Sequence, residues 1–145
     1  MASGVAVDNA CIDAVQGLVK QRKYTGVTLR ITPDLSAVKL ENTFNQSSSP
    51  KDDWTKFTKD LPDDDCRFAI YDFPYEHQGS MKTRVVFLLW SPEYSKVKSK
   101  MIYASSQEGV TSKVDGIQRQ IQATDRDEIS YDAISKQLVQ HTAGY

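Results

Sequence analysis

Residues 90–106 read WSPEYSKVKSKMIYASS, where an apolar strand runs into a helix whose outer side mixes cations with large apolar groups. Ser91 is placed to cap that helix through its hydroxyl, Pro92 suits the first helical position, and Glu93 favours the positive end of the dipole. The helix is therefore expected to start at Ser91. On an ideal helix Lys96 and Lys100 stack at i and i+4 with Tyr103 beside them, while Val97, Met101 and Ala104 form a second stripe and Lys98 falls away from Lys96 and Lys100. Spacing alone fits two accounts, a binding surface or a stripe packed on a sheet with solvated lysines.

Upstream, residues 66–73 and 83–90 are the most continuously apolar segments, as expected of strands covered on both faces in the middle of a sheet. The turn at residues 77–80 contains a glycine and is short enough for an antiparallel connection. Residues 24–32 and 37–44, rich in β-branched and aromatic side chains around Pro33-Asp34, predict a first hairpin. A helix over about residues 8–22 is expected from the cap Asp8 and the spacing of Cys11, Val15, Leu18 and Val19. Ser49 and Pro50 open a second, with Trp54, Phe57 and Leu61 on one side. Downstream, residues 109–116 look like a break with a short helical turn. A strand follows over residues 117–123, with Ile117, Ile121 and Ala123 on one face. Ser130 caps a last helix stitched by Ile134 and Leu138.

Composition narrows the class. A chain of 145 residues hides roughly 68–70% of its unfolded surface, enough for one autonomous core. We expect a single domain over residues 1–145, with loose ends at about 1–6 and 142–145. A formal charge of −1 offers no global attraction for nucleic acid or anionic membrane. No apolar run approaches the roughly 20 residues of a membrane helix, and the start lacks a secretory layout, so a cytoplasmic protein is expected. Lys20-Gln21-Arg22-Lys23 is too interrupted to give a nuclear address. Cys11 and Cys66 sit within apolar patterns and read as reduced, buried thiols; with His77 and His141 remote, neither a metal site nor any cofactor is expected.

Ser99-Lys100-Met101-Ile102-Tyr103-Ala104-Ser105-Ser106 after a W-S-P opening resembles the long-helix segment of the actin-depolymerising factor (ADF)/cofilin family. Further landmarks of that family follow in order: Ala2-Ser3-Gly4-Val5, Leu61-Pro62, residues 65–73 (DCRFAIYDF), Asp115-Gly116-Ile117-Gln118, Gln122-Ala123-Thr124-Asp125 and Ile129-Ser130-Tyr131-Asp132-Ala133. The resemblance spans nearly the whole chain. It implies an α/β (α+β) fold, a five-stranded mixed β-sheet flanked by helices on both faces. It also implies a non-enzymatic, monomeric protein that binds G-actin and F-actin, prefers ADP-actin and promotes filament severing and depolymerisation.

Residue by residue, the resemblance assigns actin contact to Ser3, Gly4, Val5, Lys98, Lys100, Met101 and Ile102, and filament contact to Lys82, Arg84 and Lys136. It makes Ser3 a phosphorylation site, where added negative charge would repel an acidic partner. Lys96, Lys98 and Lys100 become candidates for phosphoinositide headgroups. The final helix departs from the family pattern: Lys136-Gln137 stands where an acidic residue followed by arginine is frequent, and Gln140 replaces a frequent basic residue. Two other readings stay open, a monomer-sequestering or side-binding module with weak severing, and a small enzyme using Cys66 or His77.

Overall fold

A computed structural model describes residues 5–142. Ser3 and Gly4, assigned above to actin contact, and residues 143–145 lie outside the described residues. The elements run β1 (Ala6–Val7), α1 (Asn9–Gln21), β2 (Gly26–Ile31), β3 (Ala37–Phe44), α2 (Pro50–Lys59), β4 (Arg67–His77), β5 (Ser80–Trp90), α3 (Val97–Thr111), β6 (Arg119–Ala123) and α4 (Tyr131–Thr142). A 3-10 turn at Asp127–Ile129 precedes α4.

The sheet order is β1-β3-β2-β4-β5-β6. Its four inner strands are antiparallel, whereas β1 lies parallel to β3 and β6 parallel to β5. The mixed sheet expected from the resemblance is present, with six strands rather than five. The sixth is β1, and two residues are too short to show an alternating pattern.

Each face of the sheet carries its own core. On one, Cys11, Val15 and Leu18 of α1 and Tyr103 and Val110 of α3 pack on Val27, Leu29, Phe68, Ile70, Phe87 and Leu89. On the other, Trp54 and Phe57 of α2 and Ile134 and Leu138 of α4 pack on Ala69, Tyr71, Phe73, Val86, Leu88 and Trp90. Residues of β4 and β5 thus alternate between two covered faces, which is why both strands read as unbroken apolar runs. Each large aliphatic side chain so buried contributes about 1.5–3 kcal/mol.

Local signals set most boundaries. Asp8 accepts the Ala10 amide at 3.2 Å to cap α1, Ser49 accepts the Asp52 amide at 3.4 Å to cap α2, and Ser130 accepts the Ala133 amide at 3.1 Å ahead of α4. Gln78 and Gly79, both left-handed with φ 53° and 78°, form the two-residue turn of the β4–β5 hairpin. That hairpin outruns β2, whose pairing with β4 ends at Tyr71. Pro74, which has no amide proton to donate, therefore sits where β4 has lost its neighbour on that side.

Three expectations need correction. First, α3 begins at Val97 and not at Ser91: Ser91 and Pro92 are buried, and the Ser91 amide continues the sheet by donating to the Ala123 carbonyl at 2.9 Å. Second, α3 continues through Gly109 to Thr111, where a break was expected. A single mid-helix glycine weakens a helix by only about 1 kcal/mol, and Val110 is anchored in the core. Third, Ile117 precedes β6 and packs on the α1/α3 core, whereas Ile121 and Ala123 face α2 and α4.

Candidate functional site

The long helix α3 is oriented by what it buries. Tyr103, Ser106 and Val110 point inward, and Tyr103 is 2% exposed. Its hydroxyl accepts the Ile31 amide at 2.8 Å, and burial raises its pKa, a rise partly offset by that bond. Tyr103 is therefore not beside Lys96 and Lys100, as the ideal helix suggested, but behind them.

With Tyr103 inward, the opposite side of the helix carries Val97, Met101 and Ala104. Val97 is 71% exposed and Met101 67%. These are the helix's larger apolar groups outside the core, and they are left in water while Ser106 is buried. That inversion rules out the account in which this stripe packs on the sheet. Exposed contiguous apolar side chains rimmed by charge mark an interaction surface.

The lysines divide into two sets. Lys96, the N-cap residue, and Lys98 line a cleft of about 470 Å³ with Ser99, Thr32 and Leu35. Asp64 and Asp65 also line this cleft, and Asp65 is already paired with Arg67 at 2.8 Å. Lys100 does not line the cleft; its ammonium donates to the Glu93 carbonyl at 2.8 Å, holding the preceding turn against the helix. Ile102 is half-buried on the α1/α3 core and Val5 packs partly onto the same core, so both are as much structural as available for contact.

The filament candidates lie on the other face of the sheet. Lys82 and Arg84 share the side of β5 that carries Val86, Leu88 and Trp90 toward α2 and α4. Both are half-buried, and Arg84 Nη1 donates to the Thr83 carbonyl at 3.1 Å. Lys136 is exposed on α4, while its neighbour Gln137 accepts from Arg119 at 3.4 Å. The assigned residues thus form two separate groups across the sheet. Cys66 and His77 are not brought together at all, since Cys66 directly precedes β4 and His77 is its last residue, about 35 Å apart along an extended strand. Cys66 is buried with its thiol donating to Ser91 Oγ at 3.6 Å.

One residue of this surface escaped the sequence reading. Tyr94 is 82% exposed and stands immediately ahead of α3. Placing it inside a helix obscured it, because a turn leaves it outside any apolar periodicity.

Comparison with known proteins places these features among relatives. Residues 4–139 match the family model described as cofilin/tropomyosin-type actin-binding protein. The chain is 36% identical to "Actin-depolymerizing factor 8" of Arabidopsis thaliana over 138 residues, covering 94% of this chain and 96% of the relative. It is 34% identical to "Actophorin" of Acanthamoeba castellanii, covering 92% and 94%. Among solved structures, the cofilin of Streptomyces griseoflavus superposes with a TM-score of 0.84 at 28% identity, covering 94% of this chain and 98% of that one.

Proposed function

The chain belongs to the ADF/cofilin family of actin-binding proteins, and on that premise we propose that it binds actin monomers and filaments and promotes filament severing, depolymerisation and turnover in the cytoplasm. The observation that carries this reading is the outward Val97–Met101–Ala104 stripe beside Lys98, on a helix whose other side is locked into the sheet. Met101 is an adaptable apolar anchor, and Lys98 pairs with acidic groups on the actin subunit. No covalent chemistry is involved. Severing follows from differential binding: a protein that favours a twisted filament over the relaxed one shifts the filament toward the twisted state and weakens subunit contacts.

Filament engagement uses Lys82, Arg84 and Lys136, on the sheet face opposite α3, so one molecule bridges two subunits through two surfaces. Preference for ADP-actin follows the family. Ser3 and Gly4 add contact from the N-terminal arm, and a phosphate on Ser3 introduces about −1.5 to −2 charges against an acidic partner. Phosphoinositide headgroups compete for Lys96 and Lys98, with Lys100 nearby. The altered final helix, with Lys136 its sole lysine and no arginine, favours a second reading in which the protein sequesters monomers or decorates filaments with weak severing.

Titration of the purified protein against ADP-actin and ATP-actin, alongside a folded Lys98→Ala/Lys100→Ala variant, tests the first reading. Tighter binding to ADP-actin and loss of affinity in the variant are expected; unchanged affinity in the variant rejects the assigned site. Filament co-sedimentation with direct imaging separates the two readings, because decoration without fragments selects the second.

A further inference from the structure

Residues 92–95 form a tight turn ahead of α3. The Ser95 amide donates to the Pro92 carbonyl at 3.0 Å, Pro92 and Ser95 are buried, and Glu93 and Tyr94 project from the corner. The turn is held from two further directions. Ser91 is hydrogen-bonded to Ala123 of β6 at 2.9 Å, and the Lys100 ammonium reaches back to the Glu93 carbonyl at 2.8 Å.

The side chain so presented is an aromatic ring with nothing to do inside the molecule. Tyr94 is 82% exposed and has neither a hydrogen-bond nor a ring partner among the described residues. Tyr94 lies outside the helical repeat, because Lys96 is extended at ψ 144°, but its exposed ring stands three residues before Val97, the first exposed apolar side chain of α3. Tyrosine on a preorganised turn is suited to binding: it offers a large contact area while freezing only two side-chain torsions.

We infer that Tyr94 is an aromatic anchor for the actin subunit, extending the docking surface of α3 beyond its first turn. This inference rests on the actin-binding reading above. The partner's matching surface is an apolar slot with acidic groups at its rim, met by Lys96 and Lys98, which line one cleft beside the start of α3. The ring, and not the hydroxyl, carries the contact, because a phenol left in water has no need of a partner and an apolar slot has none to give.

The test is a titration of ADP-actin monomers with wild type, Tyr94→Ser and Tyr94→Phe, with thermal unfolding as the control for folding. Tyr94→Ser is expected to bind about tenfold more weakly, the size of loss typical of a central aromatic contact, and Tyr94→Phe to bind as wild type does. Hydroxyl-radical footprinting of the wild-type complex should show Tyr94 protected. Wild-type binding with an equal affinity for Tyr94→Ser, equal losses in the Ser and Phe variants, or an unprotected Tyr94 would each overturn the anchor while leaving the actin reading intact. Failure of the wild type to bind actin sinks both.

Discussion

The amide of Ile31 on β2 donates to the hydroxyl of Tyr103 on α3 at 2.8 Å, joining residues 72 positions apart. The Tyr103 ring lies 5.1 Å from that of Phe68, so one side chain fixes both the depth and the rotation of α3. Because Met101 and Tyr103 are two residues apart, about 200° around the helix, Tyr103 facing inward sends Met101 to the opposite side. Tyr103→Phe keeps the ring and strands a buried amide. The expected cost is about 1–3 kcal/mol, read as a lower urea midpoint with an unchanged denaturant slope. A midpoint equal to that of wild type would mean another acceptor replaces the hydroxyl.

Met101 and Ile102 are neighbours in sequence and opposites in role. Met101 is exposed, so Met101→Ser should alter stability by no more than about 0.5 kcal/mol while weakening actin binding several-fold. Ile102 packs partly on the α1/α3 core, so Ile102→Ser should lower the unfolding midpoint before any effect on actin is considered. Parallel denaturation and actin titration of the two variants check the division. Equal stability losses would show that the outward stripe is structural.

Asp72 gives a pH dependence with a definite sign. Burial raises its carboxyl above the ordinary aspartate value of 3.8, and Arg22, 3.7 Å away but largely exposed, only partly offsets that. The native state therefore holds this proton to higher pH than the unfolded chain does. Its favourable contribution is complete below pH 3.8 and is lost as pH rises through the native pKa, since stability falls with pH wherever the folded state binds more protons. Asp72→Asn removes the titration. Urea unfolding at about pH 3.5 and about pH 7 should show the variant gaining on wild type at the higher pH. A constant difference would refute the shift.

Much of this architecture was legible because local chemistry and burial agree. Asp8, Ser49 and Ser130 cap the helices they were expected to cap, and β4 and β5 read as central strands since both of their faces are covered. The start of α3 was misplaced for the converse reason. Ser91, Pro92 and Glu93 form a strong local start signal, but the chain makes only one turn, closed by the Ser95 amide on the Pro92 carbonyl, and extends at Lys96 (ψ 144°) before α3 begins, while the Ser91 amide pairs with Ala123, 32 positions away. That shift concealed Tyr94. The identity of the exposed stripe was equally a tertiary matter, because spacing gave two stripes on α3 and the burial of Tyr103 and Val110, with the Tyr103–Ile31 bond, selects between them. The eight-residue motif from Ser99 to Ser106 led the family resemblance, whereas the Lys100 latch on the Glu93 carbonyl is a contact that no spacing rule announces.

Gly26, which opens β2, is a place where one added carbon decides the sign of a substitution. A Cβ there would lie 2.6 Å from Tyr71 Cδ2 and 2.9 Å from Phe57 Cε1. Those rings are not free to yield: Phe57 and Tyr71 sit 4.8 Å apart, and Trp54 stacks on one at 5.6 Å and meets the edge of the other at 4.8 Å. Replacing a strand glycine by alanine would otherwise gain about 0.5–1 kcal/mol from reduced chain entropy, but forcing a carbon into a packed aromatic cluster costs about 1–3 kcal/mol or more. Gly26→Ala should therefore destabilise the fold and alter the near-ultraviolet circular dichroism of the cluster. If crowding is the cause, Phe57→Leu should cost less in the Gly26→Ala background than in wild type, a coupling that a double-mutant cycle measures. Additive losses would place the defect in the backbone of β2 and not in the rings above it.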